Sequence, residues 1–192
     1  MQRENGILIG VVTDLEDPDG LGRVRVKFPN LGDKLSSWAK ISAPMAGKNR
    51  GFFFRPEVDD ELLVAFEMGD PRRPYVLGAL WSKVDTPPPD DGKPKDNNWR
   101  FIQSRSGHIL KFDDTKGAER FEIIDKDGRH KIVIDSSGDK IQILCDSGNI
   151  EIKATAGKLQ VEAVDAEIKA SGNMTLQAGG QMTIKGSVVN IN

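Results

Sequence analysis

Asn149-Ile-Glu-Ile-Lys-Ala-Thr-Ala-Gly-Lys-Leu-Gln-Val-Glu162 holds two apolar pairs, Ile150/Ile152 and Leu159/Val161, separated by a glycine-containing turn. Apolar residues two apart mark an extended strand with one buried face, because successive side chains of a strand point to opposite sides. The pattern runs on in both directions. Upstream lie Leu110/Phe112, Phe121/Ile123, Ile132/Ile134 and Ile141/Ile143; downstream lie Ala166/Ile168, Met174/Leu176, Met182/Ile184 and Val189/Ile191. From Leu110 onward the pairs begin 11, 11, 9, 9, 9, 7, 8, 8 and 7 residues apart, an internal repeat whose period shortens toward the C-terminus. A shortening period implies an object that narrows. Between the pairs sit Asp127-Gly128, Ser137-Gly138, Ser147-Gly148, Ser171-Gly172 and Gly179-Gly180, residues suited to sharp corners. The residues beside the pairs, such as Glu151, Lys153, Gln160, Glu162, Glu167 and Lys169, are polar and expected to face water. The expected inner core is therefore Ile132, Ile134, Ile141, Ile143, Ile150, Ile152, Leu159, Val161, Ile168, Met174, Leu176, Met182 and Ile184. In the last tier Val189 and Ile191 are expected inside, rather than Asn190 and Asn192.

One such ribbon cannot stand alone, since it would leave an apolar face and its backbone edges open. Three chains wound about a common axis would turn the apolar faces inward as a triangular prism. At about 4.8 Å per tier that prism would be on the order of 50 Å long. The rival closure is a single-chain solenoid of about three repeats per coil. Eight-residue steps leave little room for its looped corners, which favours the trimer. Val188, Val189, Asn190, Ile191 and Asn192 carry no charge and offer a partly apolar surface for a separate tip protein.

The composition narrows the class. Net charge is -2 and aromatic content 6%, so no global attraction to nucleic acid or anionic membrane is expected. Hydrophobic residues are 38%, enough for one or two folded domains. No apolar run reaches the roughly 20 residues of a membrane-spanning helix, and Met1 to Gly10 lacks the features of a signal peptide. Synthesis in the cytoplasm is the expectation. The single cysteine, Cys145, falls on the inward parity and reads as a structural thiol, not a disulfide partner. Helix signals are nearly absent, and the expected class is all-β.

Residues 1–82 read as a separate β domain. Gly6 to Thr13, Arg23 to Phe28, Trp38 to Ile41, a segment opening at Phe52, Glu61 to Phe66 and Tyr75 to Trp81 are short strand-like runs divided by Gly and Pro turns. A five-stranded closed barrel of OB topology accommodates them, because closure removes exposed edges. Residues 83–98, with Thr86-Pro-Pro-Pro89, form an extended linker, and residues 99–192 form the repetitive needle.

Several blocks carry a family resemblance. Asp17-Pro-Asp-Gly-Leu-Gly-Arg-Val-Arg-Val26, Phe54-Arg-Pro-Glu-Val-Asp-Asp-Glu61 and Gly69-Asp-Pro-Arg-Arg-Pro-Tyr-Val-Leu-Gly78 resemble the OB-fold domain of contractile-tail spike proteins. Ser104-Arg-Ser-Gly-His108 and the run to Arg120 resemble the start of that family's β-helical needle. These are the phage baseplate assembly protein V type and the valine-glycine repeat spikes of type VI secretion. The resemblance implies a non-enzymatic, cofactor-free homotrimer with a triple-stranded β-helix. It would lie below the tail tube of a virion or injection particle and pierce the target membrane when the sheath contracts. Because the barrel begins at Gly6, a separate hub protein is expected at its end, and a PAAR-like tip protein at the C-terminus. The alternative is an OB-type nucleic-acid or glycan-binding module with a solenoid stalk.

Site-like groupings are few. Asp17-Pro-Asp-Gly20 resembles the opening of a calcium loop but lacks further carboxylates, so a hairpin turn is favoured. Asp59-Asp60-Glu61 and Asp113-Asp114 are adjacent acids beside strands, where neighbours point to opposite faces. His108 and His130 have no partner two residues away and lie far from the C-terminus, against a tip metal. Lys48, Arg50, Arg55, Arg72 and Arg73 could serve a nucleic-acid groove with Trp38 and Phe52 to Phe54 as stacking aromatics. Balanced net charge opposes this, and Arg72 and Arg73 are expected to pair with acids at a barrel-needle or hub interface.

Overall fold

The computed structural model describes residues 6–191, and within them all regular structure is strand apart from two single-turn 3-10 segments. Two units are distinguished, Met1–Leu144 and Cys145–Asn192.

The barrel is built from β1 (Leu8–Asp14), β2 (Arg25–Phe28), β3 (Lys34–Leu35), β4 (Lys40–Ile41), the small hairpin β5 (Ala46–Gly47) and β6 (Arg50–Gly51), β7 (Glu61–Phe66) and β8 (Pro74–Ala79). Its sheet order is β3-β2-β1-β7-β8-β4, with β4 and β8 parallel and the other pairs antiparallel. Closure comes from Val24 and Ala39, at the entrances of β2 and β4. Val24 N–H donates to the Ala39 carbonyl at 3.1 Å, and Ala39 N–H returns the bond at 2.8 Å. β3 and β4 thus act as one interrupted strand spanning β2 and β8, giving the five-stranded OB topology. Register shifts at Val12/Asp14 and Leu63/Val64 supply the local bend that curling a sheet requires.

Alternation then fills the interior. Val12, Val24, Val26, Phe28, Ala39, Leu62, Val64, Phe66 and Val76 form one buried cluster, with Phe28 and Phe66 tilted at 5.7 Å between ring centroids. Ser36 is the buried polar exception, and its hydroxyl accepts the Val26 N–H at 3.1 Å. The strand expected to open at Phe52 is instead displaced upstream into the β5–β6 hairpin, and Phe52, Phe53 and Phe54 are exposed. Gly51 explains the displacement. Its φ is +148°, and a Cβ there would lie 2.5 Å from the Met45 carbonyl oxygen, so the backbone turns at a point only glycine tolerates.

A second sheet follows the linker: β9 (Trp99–Gln103), β10 (Ile109–Asp113), β11 (Arg120–Ile124), β12 (His130–Asp135) and β13 (Lys140–Cys145), neighbours in chain order. It starts one strand earlier than the repeat read from the sequence, because Trp99–Gln103 pairs along its full length with β10.

After Cys145 the described chain runs extended between bends at 146–148, 155–157, 164–165, 171–172, 179–180 and 187. Each bend falls between two of the predicted apolar pairs. Among the described residues of this unit no strand pairing is recorded.

Candidate assembly surface

Register decides which side chains of β9–β13 share a face. Leu110 lies opposite Ile102 and Ile123, Ile123 opposite Ile132, Phe112 opposite Phe121, and Phe121 opposite Ile134. These residues form two cross-strand rows, with Phe112 and Phe121 at 5.0 Å between ring centroids. Within one chain the rows remain open: Ile102, Phe112, Ile123, Ile132 and Ile134 are between 40% and 51% exposed. Ile141 and Ile143 of β13 are more exposed still.

The opposite face is closed by polar contacts. Lys111 and Glu122 are register partners joined as an ion pair, and the Lys111 ammonium lies 4.2 Å from the Trp99 ring centroid. Trp99 Nε1–H donates to Asp113 at 2.9 Å. Burial pushes the Asp113 carboxyl up, but the bonds from Thr115 and Trp99 and the nearby Lys111 charge outweigh it and hold the pKa below the ordinary value. Val133 and Asp135 are buried on this side, with Asp135 accepting the Gly138 N–H at 2.8 Å. The face that carries charge is therefore the better covered one, an inversion of the usual arrangement in a lone soluble sheet.

In residues 145–192 the same two-residue period persists. Lys153 pairs with Glu151, Lys158 donates to Gln160 at 2.9 Å, and Lys169 pairs with Glu167 at 2.7 Å. Such i,i+2 contacts put the polar side chains on one side of extended backbone. Ile150, Ile152, Leu159, Val161, Ile168, Met174, Leu176, Met182 and Ile184 hold the alternate positions, all exposed, as are Val188, Val189 and Ile191. Asn190 is exposed as well. Asn192 lies outside the described residues.

The groupings that suggested chemistry have structural partners. Asp17 accepts hydrogen bonds from the Leu21 and Arg23 backbone N–H groups at 3.0 and 3.1 Å, and from the Arg23 guanidinium at 2.5 Å. The Arg23 contact, followed by these backbone bonds, holds the Asp17 carboxyl far below the usual carboxylate range. Asp17 thus ties the β1–β2 loop as a turn, as the missing carboxylates suggest. Asp60 accepts the Glu57 N–H at 2.8 Å, and Asp114 pairs with Arg100. Arg72 and Arg73 bond Asp70 and Glu67 inside their own loop, rather than acids across an interface. The His108 backbone N–H donates to Ser104 Oγ at 3.0 Å and the His130 backbone N–H to Asp125 at 3.1 Å, while the buried His130 Nδ1 has no hydrogen-bond partner among the described residues. Cys145 is half-buried, and its thiol donates to the Ser147 carbonyl at 3.2 Å. Among the described residues no three His, Cys, Asp or Glu side chains converge as metal ligands.

The described barrel is matched over residues 8–81 by the type VI secretion system/phage-baseplate injector OB domain family. This domain-level match agrees with the spike-family resemblance read from the sequence. The actin cross-linking toxin VgrG1 of Vibrio cholerae is 30% identical over 110 residues, 53% of this chain and 10% of that protein. The type VI secretion system spike protein VgrG1a of Pseudomonas aeruginosa is 30% identical over 118 residues, 55% of this chain and 18% of the relative. VgrG5 of the same organism is 27% identical over 144 residues, 71% and 17% respectively. The chain thus matches a fifth or less of the length of these spike proteins. No helix among the described residues is long and apolar enough to cross a membrane.

Three residues that define the two faces of this sheet were not singled out from the sequence. Ile102 belongs to the apolar row, and Trp99 and Lys111 close the reverse side. The available signal was the Trp99-Arg-Phe-Ile102 run, whose parity becomes informative only once its register with Leu110 is known.

Proposed function

We propose that this chain is the central spike of a contractile injection machine, acting as a homotrimer whose needle pierces the target membrane when the sheath contracts. The observation that supports this most is the open apolar face of β9–β13, whose residue parity continues in the sequence through Ile184. Packing against two further copies would bury it at about 25 cal/mol per Å² of apolar surface removed from water. In this reading the extended segments after Cys145 pair between chains as a triple-stranded β-helix, and Ile132 to Ile184 at the named positions become its core. Strand pairing among three interwound chains resists bending, so axial force reaches a small area without any chemical step. A hub protein would hold the barrel end, and a PAAR-like tip protein would cover Val188, Val189, Asn190, Ile191 and Asn192. Residues 1–82, 83–98 and 99–192 would then act as barrel, linker and needle.

Light scattering on the purified chain tests the assembly directly. The expected particle mass is three times the 21.1 kDa chain. A stable, folded particle of one chain mass would overturn the proposal.

A further inference from the structure

A cleft of 270 Å³ on the outer surface of the barrel is lined by the cations Arg23, Lys40, Arg72 and Arg73 and one acid, Glu67, with Trp38 and Tyr75. Strand alternation puts them there: Val24, Ala39 and Val76 point inward, so their neighbours point out. Two cations stand on aromatic faces. The Arg25 guanidinium lies 5.1 Å from the Trp38 ring centroid, and the Lys40 ammonium 5.8 Å from that of Tyr75. Their neighbours already have partners, Arg23 with Asp17 and Asp19, Arg72 with Asp70, Arg73 with Glu67. Among the described residues neither Arg25 nor Lys40 has a carboxylate within 4.0 Å, and the buried Arg25 Nε has no hydrogen-bond acceptor. The loop presenting Arg72 and Arg73 is set by a sharp turn at Glu67–Gly69, where Met68 adopts a left-handed φ of 51°.

We infer that this cleft docks an acidic segment of a partner protein, one carboxylate of which pairs with Lys40 in the cleft and another with Arg25, stacked on the Trp38 that lines it. A single-stranded nucleic acid fits less well for two reasons. Base stacking needs bare aromatic faces, and one face each of Trp38 and Tyr75 is under a cation. The volume is also small, below the roughly 300 to 1,000 Å³ of sites that enclose a whole ligand, which suits isolated side chains. The aromatic faces restrain both cations before binding, which lowers the entropy lost when a carboxylate is caught. This inference does not depend on how many copies of the chain assemble.

Fluorescence anisotropy of labelled hexaglutamate, titrated with the full chain in low-salt buffer, reads the site. Binding is expected, with a loss of about tenfold in affinity for Lys40→Glu and a smaller loss for Lys40→Ala. Lys40 is exposed, so both variants should keep the wild-type melting curve, and Arg25→Ala provides an independent second lesion. Lys126→Glu, in the turn between β11 and β12, makes the same change in net charge and should leave affinity unchanged. Absence of binding by the wild type, an equal loss with Lys126→Glu, or tighter binding of an oligo-dT of equal charge would each overturn the inference.

Discussion

The barrel and the needle sheet use the same short alternating strands and reach opposite ends. In the barrel, β2 joins β4 through Val24 and Ala39, the sheet meets itself, and one chain supplies every wall of its core. In the needle sheet, β9 and β13 are edges among the described residues, and Ile102, Ile123 and Ile132 of the apolar row are exposed. Alternation therefore specifies that a face is apolar, while closure specifies whose atoms cover it. A closed barrel completes its core alone, whereas the open sheet leaves its apolar rows exposed within one chain, which is what the proposed assembly would cover.

The sharpest way to break this contrast is a charge on the open face. Ile123→Asp should abolish assembly, because each copy would bury an unpaired carboxylate at a cost of roughly 3 kcal/mol or more. Size-exclusion chromatography with light scattering should then report the single-chain mass while circular dichroism retains the barrel. A trimer that tolerates this substitution would place the interface elsewhere.

A core truncation in the barrel should behave differently. Leu62 is fully buried within one chain, so Leu62→Ala should cost about 3 kcal/mol through lost transfer energy and a residual cavity. Denaturant unfolding of the barrel should shift by that amount at every protein concentration. Under the proposed trimer, needle unfolding should depend on concentration. A concentration-dependent barrel transition would mean that its core is not complete within one chain.

Acid titration probes the barrel more gently. Asp17 and Asp70 have folded pKa values below the unfolded ones, the latter lowered from 3.8 to about 2 chiefly by the Arg72 side chain. Depressed carboxyl values add stability above the unfolded pKa, and that stability is lost as pH falls through the folded pKa. The barrel melting temperature should therefore drop as pH falls from about 4 toward 2. Asp17→Asn should lower it at pH 7 and flatten the acid limb. An unchanged slope in the variant would remove Asp17 from the account.

Much of this was legible in residues alone. The parity of Ile132/Ile134 or Ile150/Ile152 needs only the two-residue strand period, and the bends after Cys145 fall where Ser-Gly, Gly-Gly and other turn residues interrupt it. Arg72 and Arg73 were misplaced for a simple reason. Their partners, Asp70 and Glu67, lie two and six residues upstream, and only the turn through Met68 shows that these carboxylates face back toward the guanidinium groups. The Arg25–Trp38 and Lys40–Tyr75 stacks were equally hidden, since they join residues on different strands of the barrel.

The sequence by itself determined the all-β class and, in β10 to β12, which residues of each strand share a side. These follow from local alternation and turn chemistry, which act over a few residues. Tertiary structure decided that β2 and β4 meet to close the barrel, that Trp99–Gln103 joins the needle sheet, and that Lys111 and Glu122 seal its reverse face. Those outcomes depend on register between strands distant in sequence, and a register cannot be read from any one strand.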